Sequence, residues 1–411
     1  MENLSQFANP LLPLHQHANA ELQAYDDLEI VCTFGEPQAE YAALHKSAGL
    51  FDLPFRGFLE LTGVDRLAFL NGLISNITWD KTAKTPMPAG SWVYSFLLNL
   101  KGRVVCDLRV IDLGDRTLLE TESKLVRPLA DVLEQYHFAE RVMIRPRLGE
   151  LHEIALYGPG AWAVLQAAGG GAARPQSRQW AGDLEIEGVP VTAWRDNPTG
   201  TDGFHLIMPT AAAATVWQSL LRQSGASIEP GRRALRPVGW AAFNACRIEA
   251  GRPLFGIDFA GVSPQTAYPS RQKQQEAAAG EDAGPGVLPA ETGPLFDRAV
   301  NLTKCYIGQE VVARMHARQQ VARRIVGLRM DGDALPMAGT PVMDSTGNQV
   351  GLITSSTLSP VLSNTAITLA FVKKPHFDVQ MRLSVPAEGE IRPATVVQLP
   401  FLNPDNPVAR S

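Results

Sequence analysis

The stretch that decides the fold of this chain is Lys304-Cys305-Tyr306-Ile307-Gly308-Gln309-Glu310. The thiolate is the reactive form of cysteine and an adjacent cation favours it, so Lys304 beside Cys305 predicts a reactive thiol. Gly308 permits a close backbone approach or a positive φ, and Gln309 and Glu310 add hydrogen-bonding groups. The alternative is a short strand that carries a buried, inert cysteine. The charged, glycine-containing context favours the functional interpretation.

Composition excludes several classes of protein. The 411 residues are 45% hydrophobic and 19% charged, which is ordinary for a soluble globular protein of two or three domains. The net charge of −5 gives no general electrostatic attraction to nucleic acid or to an anionic membrane. The first residues lack the pattern of a signal peptide, and no run reaches the roughly 20 apolar residues of a membrane span. We therefore expect no direct nucleic-acid partner and no membrane insertion.

The cysteines and histidines give no metal-binding pattern. Four widely spaced cysteines form no Cys-x-x-Cys pair: Cys32, Cys106, Cys246 and Cys305. This spacing predicts neither a disulfide framework nor a zinc site, and it suits a reducing cytoplasm. The pair His15-x-His17 has no third ligand near it, so it is interpreted as part of a mobile N-terminal tail over residues 1–24. No metal site is predicted, and the chain is expected to be cytoplasmic.

Residues 25–322 mix strands and helices. Ser91 to Leu113 has the pattern of a hairpin around Gly102, and apolar residues recur at helical spacing between Leu125 and Tyr136. This mixture predicts an α+β fold rather than a doubly wound parallel sheet. The glycine-rich loop at 169–171 ends a helix and lacks a following Lys-Ser or Lys-Thr, so it is interpreted as a linker.

Two later segments differ from this core in composition. Within about 259–290, the stretch from Gln265 to Gly286 has almost no large apolar side chain and is predicted to be a flexible insertion. Residues 323–411 contain short β runs separated by turn residues such as those at 344–348. That pattern predicts a small C-terminal β-barrel domain.

The run from Leu295 to Thr303, which leads into the opening heptapeptide, completes a motif that resembles the YgfZ-type folate-binding proteins, relatives of the glycine cleavage T-protein. The block Arg247 to Pro253 and the run Gly351 to Ser355 are similar to the same family. The family signature has a glycine between the lysine and the cysteine, which this chain lacks. Such a deletion in a strand turns side chains to the opposite face. The resemblance implies two related α+β lobes of the T-protein folate-binding type plus a C-terminal small β-barrel, around a central hole for tetrahydrofolate.

The same resemblance identifies candidate folate contacts. Where aminomethyltransferases carry an Asp-Asp pair, this chain has Cys106-Asp107, so one carboxylate remains. Where they carry Gly-Glu-Asp-Gly-Phe-Glu, this chain keeps Asp202 but has Thr201 and His205 in place of the two glutamates. A carboxylate accepts paired N–H donors from a pterin edge, a geometry that Thr and His cannot reproduce. The lost carboxylates therefore argue against aminomethyl transfer.

Several of these residues have two interpretations. Arg247 either pairs with a folate carboxylate or forms a structural ion pair with Glu249 or another acid. Asp107 either lies near the reacting folate nitrogen or accepts a hydrogen bond at a strand end. A solvated basic face, able to contact a polyglutamate tail or an acidic partner, is predicted from Arg314, His316, Arg318, Arg323 and Arg324.

These residues lead to one hypothesis and two rivals. The resemblance implies a folate-binding accessory protein that supports assembly or repair of iron–sulfur clusters, without conventional turnover. Its partners would be iron–sulfur proteins or assembly factors, and any effect on tRNA modification would pass through iron–sulfur enzymes. The rivals are a folate-dependent aminomethyltransferase and a scaffold with a vestigial pocket. The catalytic residues would be Cys305, Lys304 and Asp107, and the residues around the tetrahydrofolate would be Arg247, Asp202, Tyr306, Gln309 and Glu310.

Overall fold

The computed structural model describes residues 9–171, 173–223, 234–268, 286–318 and 321–402. The chain divides into two compact units. Unit 1 comprises Met1–Asn71, Ile77–Tyr94 and Leu108–Phe243, and unit 2 comprises Gly72–Asn76, Ser95–Asp107 and Asn244–Ser411. Among the described helices, none combines the length and the apolar character that crossing a bilayer requires.

The helices follow the apolar spacing of the sequence. In α4, buried residues at 126, 129, 132 and 133 form one helical face. Short 3₁₀ turns occupy Ser123–Leu125, Thr210–Ala212, Pro289–Leu295 and Pro360–Leu362. The described α-helices are α1 (Leu12–His17), α2 (Pro37–Lys46), α3 (Arg66–Leu73), α4 (Val126–Gln135), α5 (Ala161–Ala167), α6 (Ala213–Gln223), α7 (Trp240–Glu249), α8 (Pro264–Ala267), α9 (Phe296–Ala299) and α10 (Gln309–Arg318).

The strands are mostly short, and they build the sheets of both units. They are β1 (Glu21–Tyr25), β2 (Leu28–Thr33), β3 (Gly49–Asp52), β4 (Arg56–Thr62), β5 (Trp79–Asp80), β6 (Thr85–Pro86), β7 (Ser91–Leu98), β8 (Val104–Asp112), β9 (Arg116–Glu122), β10 (Met143–Pro146), β11 (Leu151–Tyr157), β12 (Ala181–Ile186), β13 (Val189–Arg195), β14 (Gly203–Pro209), β15 (Arg236–Pro237), β16 (Arg323–Met330), β17 (Pro341–Met343), β18 (Gln349–Ser359), β19 (Thr365–Lys373), β20 (Arg382–Ala387) and β21 (Glu390–Val397).

The six-stranded sheet of unit 1 has the order β12-β13-β14-β11-β3-β15. Neighbouring strands are antiparallel from β12 to β3, and β15 joins β3 in parallel. One sheet face packs against α5 and α6 in a core that includes Ile154, Leu156, Phe204 and Leu206. Because side chains alternate across a strand, Glu153 and the other odd-numbered residues of β11 lie on the opposite face.

A five-stranded sheet has the order β10-β4-β9-β8-β7. The predicted hairpin between β7 and β8 is present. Its turn is closed by a hydrogen bond from the Gly102 N–H to the carbonyl of Asn99, at 2.9 Å. Gly102 has φ +71°, the left-handed region that glycine adopts without steric cost.

The barrel of unit 2 closes in the order β16-β19-β18-β17-β20-β21. Its interior is apolar and includes Leu328, Ala370 and Val396. The sequence pattern does not predict β20, which contains Pro386, a residue that disfavours strands, although buried Leu383, Val385 and Ala387 alternate along it. The predicted α+β fold with a C-terminal β-barrel is confirmed.

The N-terminal segment differs from the mobile tail that its composition predicts. From residue 9 onward it is packed in unit 1, where the ring of His15 is 1% exposed. Nε2 of His15 lies 2.8 Å from Oδ2 of Asp52, and Asn9 donates to the same oxygen. Nε2 of His152 lies 2.8 Å from the other oxygen of Asp52. The histidine is therefore a buried partner of a carboxylate, and the tail interpretation is wrong for the described part of this segment.

The predicted insertion is described only at its two ends, and residues 269–285 lie outside the described part of the chain. At the first end, Tyr268 is buried and its hydroxyl donates to the carbonyl of Leu98. At the second end, the carbonyl of Val287 accepts a hydrogen bond from the Val104 N–H at 2.8 Å. Both ends are therefore fixed on the strands of the β7–β8 hairpin within unit 2.

Candidate functional site

The segment 304–310 forms a turn rather than a strand. Lys304 and Tyr306 are buried, whereas Cys305 between them is exposed. Gly308 has φ +80°, and a Cβ at this position would lie 2.5 Å from a carbonyl oxygen of the β7–β8 turn. Only glycine therefore fits this close approach. The helix α10 begins at the next residue.

The ammonium group of Lys304 binds the main chain. Nζ donates to the carbonyl oxygens of Ile74, at 2.7 Å, and Asn76, at 2.6 Å. These contacts direct the buried side chain into the loop that follows α3, whereas Cys305 is exposed. Lys304 therefore anchors this turn, which differs from its predicted role as the group that activates the thiol.

The three residues of this segment that are predicted around the tetrahydrofolate have different surroundings. Tyr306 is buried, its hydroxyl has no hydrogen-bond partner among the described residues, and burial raises the pKa of Tyr306 to about 12. Gln309 is half-buried at the start of α10. Glu310 is exposed and accepts a hydrogen bond from Arg314 at 2.8 Å. Glu310 therefore belongs to the helix surface.

Arg247 forms a structural ion pair in unit 2. Its Nη1 lies 2.6 Å from Oδ2 of Asp258, and both side chains are 0% exposed. Nε donates to Asn244, Nη2 donates to Ser355, and Nη1 also donates to a main-chain carbonyl. Four of its five N–H donors are thereby used. The partner is Asp258 rather than Glu249, and no free pair of donors remains for a bidentate folate contact.

The two predicted aspartates lie in different units. Asp107 is on β8 in unit 2 and is 2% exposed, beside the buried Cys106. Asp202 precedes β14 in unit 1 and is held by two arginines, with Arg174 at 2.6 Å and Arg195 at 2.9 Å. Asp202 is therefore a paired carboxylate, while the role of Asp107 stays a prediction.

The predicted basic face is only partly solvated. Arg314 is exposed on α10, as predicted. Arg323 and Arg324 lie instead at the start of β16, where Arg323 donates to Glu291 at 3.1 Å. The guanidinium of Arg324 lies over the ring of Phe377 at 4.3 Å. These two arginines therefore stabilise the barrel edge of unit 2.

A polar cluster that the sequence analysis did not select lies in unit 1. We call Glu153, Tyr157, Trp194 and His205 the Glu153 cluster. They project from β11, β13 and β14, on the sheet face opposite α5 and α6, and all four are buried. The available sequence signal was a glutamate inside an otherwise apolar strand, since ionised side chains are seldom fully buried without a partner.

One oxygen of Glu153 is fixed by two hydrogen bonds. Oε1 accepts from Nδ1 of His205 at 2.9 Å and from Nε1 of Trp194 at 3.2 Å. Nε2 of His205 lies 3.0 Å from the hydroxyl of Tyr157, so the imidazole links the carboxylate of Glu153 to this tyrosine. Burial raises the pKa of Tyr157, which keeps the hydroxyl protonated. The carboxylate of Glu153 is therefore held in one orientation.

The second carboxylate oxygen of Glu153 differs from the first. Oε2 is buried and has no hydrogen-bond partner among the described residues. Burial raises the pKa of the nearby Glu120, and the charge of Glu153 adds to this effect while Arg109 and Arg56 oppose it. Glu120 is ion-paired with Arg56, and with Arg109 at 3.3 Å. A buried acceptor without a donor requires an explanation, such as a ligand or an ordered water.

Further aromatic rings pack against the Glu153 cluster. Trp92 packs edge-on against Trp194 with ring centroids 4.8 Å apart. Tyr157 stacks on Phe243 at 5.8 Å, and Phe51 stacks on the same ring at 4.6 Å. Aromatic faces pack well against a flat heterocycle, and a carboxylate suits N–H donors on its edge. The Glu153 cluster is therefore a buried carboxylate packed among aromatic rings.

Comparisons with known proteins identify relatives along almost the whole chain. Residues 11–267 match the family model described as GCVT N-terminal domain, and residues 323–403 match the one described as Glycine cleavage T-protein C-terminal barrel domain. The chain is 28% identical to an aminomethyltransferase of Synechococcus sp. over 95% of this chain and 98% of that protein. It is also 28% identical to aminomethyltransferases of Cutibacterium acnes and Geobacillus kaustophilus, over 95% of this chain and 97% of each of them.

A solved structure shares the fold. The glycine cleavage system aminomethyltransferase T from Bartonella henselae superposes with a TM-score of 0.74 at 21% identity, covering 96% of this chain and 97% of that protein.

These comparisons correct the functional hypothesis. The predicted relation to the T-protein is confirmed. The predicted iron–sulfur accessory function is wrong, because the curated relatives that match the chain from end to end are named aminomethyltransferases. The comparisons give no support to the expectation of no conventional turnover, to the iron–sulfur partners or to the indirect link to tRNA modification.

Proposed function

This chain belongs to the glycine cleavage T-protein family, and from that premise we propose that it is an aminomethyltransferase that uses tetrahydrofolate. The observation that carries the proposal is the extent of the likeness. Aminomethyltransferases match this chain over 95% of its length and nearly all of their own. A single shared domain would leave the activity open, because one fold serves many functions. A match along both family domains supports shared chemistry.

The residues of unit 1 fit one part of tetrahydrofolate. Its pterin ring is planar and carries N–H donors on one edge, and Oε2 of Glu153 is a buried acceptor that lacks a donor among the described residues. Trp194 donates to the other oxygen of that carboxylate, and Tyr157 is hydrogen-bonded to His205. When bound, tetrahydrofolate supplies the nitrogens that take up the one-carbon unit.

Asp107 is the carboxylate that we assign to proton transfer. It is buried, and the neighbouring Cys106 replaces the second carboxylate of the family pair, so Asp107 acts alone. A folate nitrogen that forms a new bond to carbon must release a proton, and a carboxylate within hydrogen-bond reach can accept it. Cys305 has no step in this reaction.

We also propose that the protein acts in the cytoplasm. All four cysteines are free, and two of them, Cys106 and Cys246, are buried. Unpaired cysteines are usual where the cellular environment is reducing.

The direct test is the rate of tetrahydrofolate-dependent one-carbon transfer from an aminomethyl donor. We expect turnover by the wild-type chain. The rate of Asp107→Asn should be lower by a factor of at least about 100, since general base catalysis contributes at least that much. Asp115→Asn is the matched control, because Asp115 is an exposed aspartate shortly after β8, the strand that carries Asp107. A wild-type chain that shows no transfer and no saturable heat with tetrahydrofolate would support the scaffold alternative instead.

A further inference from the structure

We propose that one outer face of the unit 2 barrel binds a second copy of this chain, so that the protein forms a symmetric dimer. We call this surface the uncharged face and define it by five exposed side chains: Leu335, Met337, Leu352, Leu358 and Val361. Such a dimer is independent of the proposed function, because its formation requires neither tetrahydrofolate nor turnover.

Two segments that build this face contain no charged residue. The ten residues from Ala334 to Met343 and the 28 from Ser345 to Val372 include no Asp, Glu, Lys, Arg or His, although 19% of the whole chain is charged. The barrel surface is charged elsewhere, for example where Arg392 of β21 pairs with the exposed Glu390 at 2.9 Å. Charge is therefore missing from one part of the barrel surface rather than from all of it.

Hydrogen bonds hold the two segments side by side. The hydroxyl of Ser356 donates to the carbonyl of Pro336 at 2.6 Å, and the N–H of Gly339 donates to the carbonyl of Ile353 at 2.8 Å. The loop at 335–339 therefore runs along β18. The exposed side chains of this loop and those of β18 belong to one surface.

Exposed apolar side chains are concentrated on this surface. Met337 is 78% exposed and Val361 is 56% exposed. Of the twelve large hydrophobic side chains that are exposed among the described residues, five belong to the uncharged face. Monomeric proteins rarely expose large contiguous apolar patches, and such patches mark sites of interaction.

The lack of charge favours a second copy as the partner. In a twofold symmetric dimer the same surface meets itself, so a charge near the axis faces its own copy and is repelled. A surface without charges avoids this repulsion in a chain whose net charge is −5. A strongly charged partner would find no opposite charge there, and homodimer interfaces are the more apolar class of protein interface.

The contact must be made by side chains. The six barrel strands close on themselves, so none of them offers a free edge to a strand of another molecule. A charged side chain placed in the middle of the uncharged face would have to be buried against its own copy. We therefore expect one such substitution to prevent association.

The experiment is sedimentation equilibrium of the full-length chain over about 1 to 100 µM, a range that detects micromolar dissociation constants. The variants are Met337→Glu and the control Met143→Glu, which changes a methionine of β10 in unit 1 that is 67% exposed. We expect the wild type and the control to reach the mass of a dimer in this range. The dissociation constant of Met337→Glu should rise by at least about tenfold, because two glutamates are brought together.

A second measurement needs no variant and locates the contact. Amide hydrogen exchange in the loop at 335–339 should be slower at the highest wild-type concentration than at the lowest. A wild type with the mass of a monomer throughout would overturn the proposal and leave the uncharged face to a different partner. A dimer that Met337→Glu does not weaken, or whose formation leaves exchange at 335–339 unchanged, would overturn it as well.

Discussion

Two buried charged groups, the Arg247–Asp258 pair of unit 2 and the Glu153 cluster of unit 1, differ in whether their hydrogen bonds are complete. Asp258 accepts from Arg247 and a main-chain N–H with one oxygen, and from Thr354 and Ser355 with the other. Glu153 leaves one oxygen without a partner among the described residues. Both groups are buried, and they differ in how completely their hydrogen-bonding capacity is used.

The largest expected effect on stability comes from breaking the Arg247–Asp258 pair. Arg247→Met should lower the free energy of unfolding by about 3–5 kcal/mol, because it leaves Asp258 buried without its cation. Urea denaturation of the full chain measures this loss. Arg314→Ala, which breaks an exposed pair with Glu310, is the control and should change stability by no more than about 0.5 kcal/mol. A stable Arg247→Met chain that has lost only folate affinity would contradict the structural role.

A second, smaller effect is expected at Lys304. Lys304→Met should cost about 3 kcal/mol, because two main-chain carbonyls lose their buried ammonium donor. Urea denaturation again gives the stability, and calorimetry with tetrahydrofolate gives the affinity of the folded chain. If transfer activity were lost at unchanged stability, Lys304 would belong to the chemistry rather than to the complete, structural groups.

Asp52 provides a pH-dependent test of a complete group. Burial acts to raise the pKa of Asp52, but the charges and hydrogen bonds of His152 and His15 outweigh it and hold that pKa below its usual value. A carboxyl with a lowered folded-state pKa stabilises the fold above its unfolded pKa of about 3.9, and this contribution is lost as the pH falls below that value.

We expect Asp52→Asn to cost about 1.5 kcal/mol near neutral pH, and less as the pH falls through 4. The measurement is the free energy of unfolding of both chains across that pH range. Asp115→Asn, at an exposed aspartate of the same unit, should follow the wild-type curve. A constant difference between Asp52→Asn and the wild type at all pH values would contradict the account.

The smallest effect is expected at Cys305, the residue that the sequence motif predicts to be the reactive thiol. Cys305→Ser should change neither the stability nor the rate of one-carbon transfer, because the side chain is exposed and has no step in the proposed reaction. Parallel denaturation and rate measurements check both. Cys106→Ser is an informative companion, since Cys106 is buried beside Asp107. A large loss of transfer in Cys305→Ser alone would return the thiol to the active site.

Much of the fold was accessible from local sequence patterns. The β7–β8 hairpin follows from strand alternation around Gly102, and α4 follows from its apolar spacing. The barrel follows from short β runs between turns, except for β20, whose proline argues against a strand. Such features depend on near neighbours in the chain, which is why a single sequence reveals them.

The candidate site depended on partners that are distant in sequence. From the sequence, Arg247 suits a ligand and an acid equally well. One of the groups that accept its hydrogen bonds, Ser355, lies far along the chain. His205 looked like a simple loss of a carboxylate, because nothing in the sequence brings Glu153 next to it. His15 looked solvated until Asp52 was placed beside it. Sequence alone gives the chemical groups but not the hydrogen-bond balance that separates the two clusters.

The most direct test of the account is the dependence of aminomethyl-donor consumption on tetrahydrofolate by the wild-type chain. The account predicts a rate that saturates with tetrahydrofolate and is absent without it, together with formation of a one-carbon-loaded folate. Saturable binding of tetrahydrofolate with no donor consumed would contradict the assignment as a transferase.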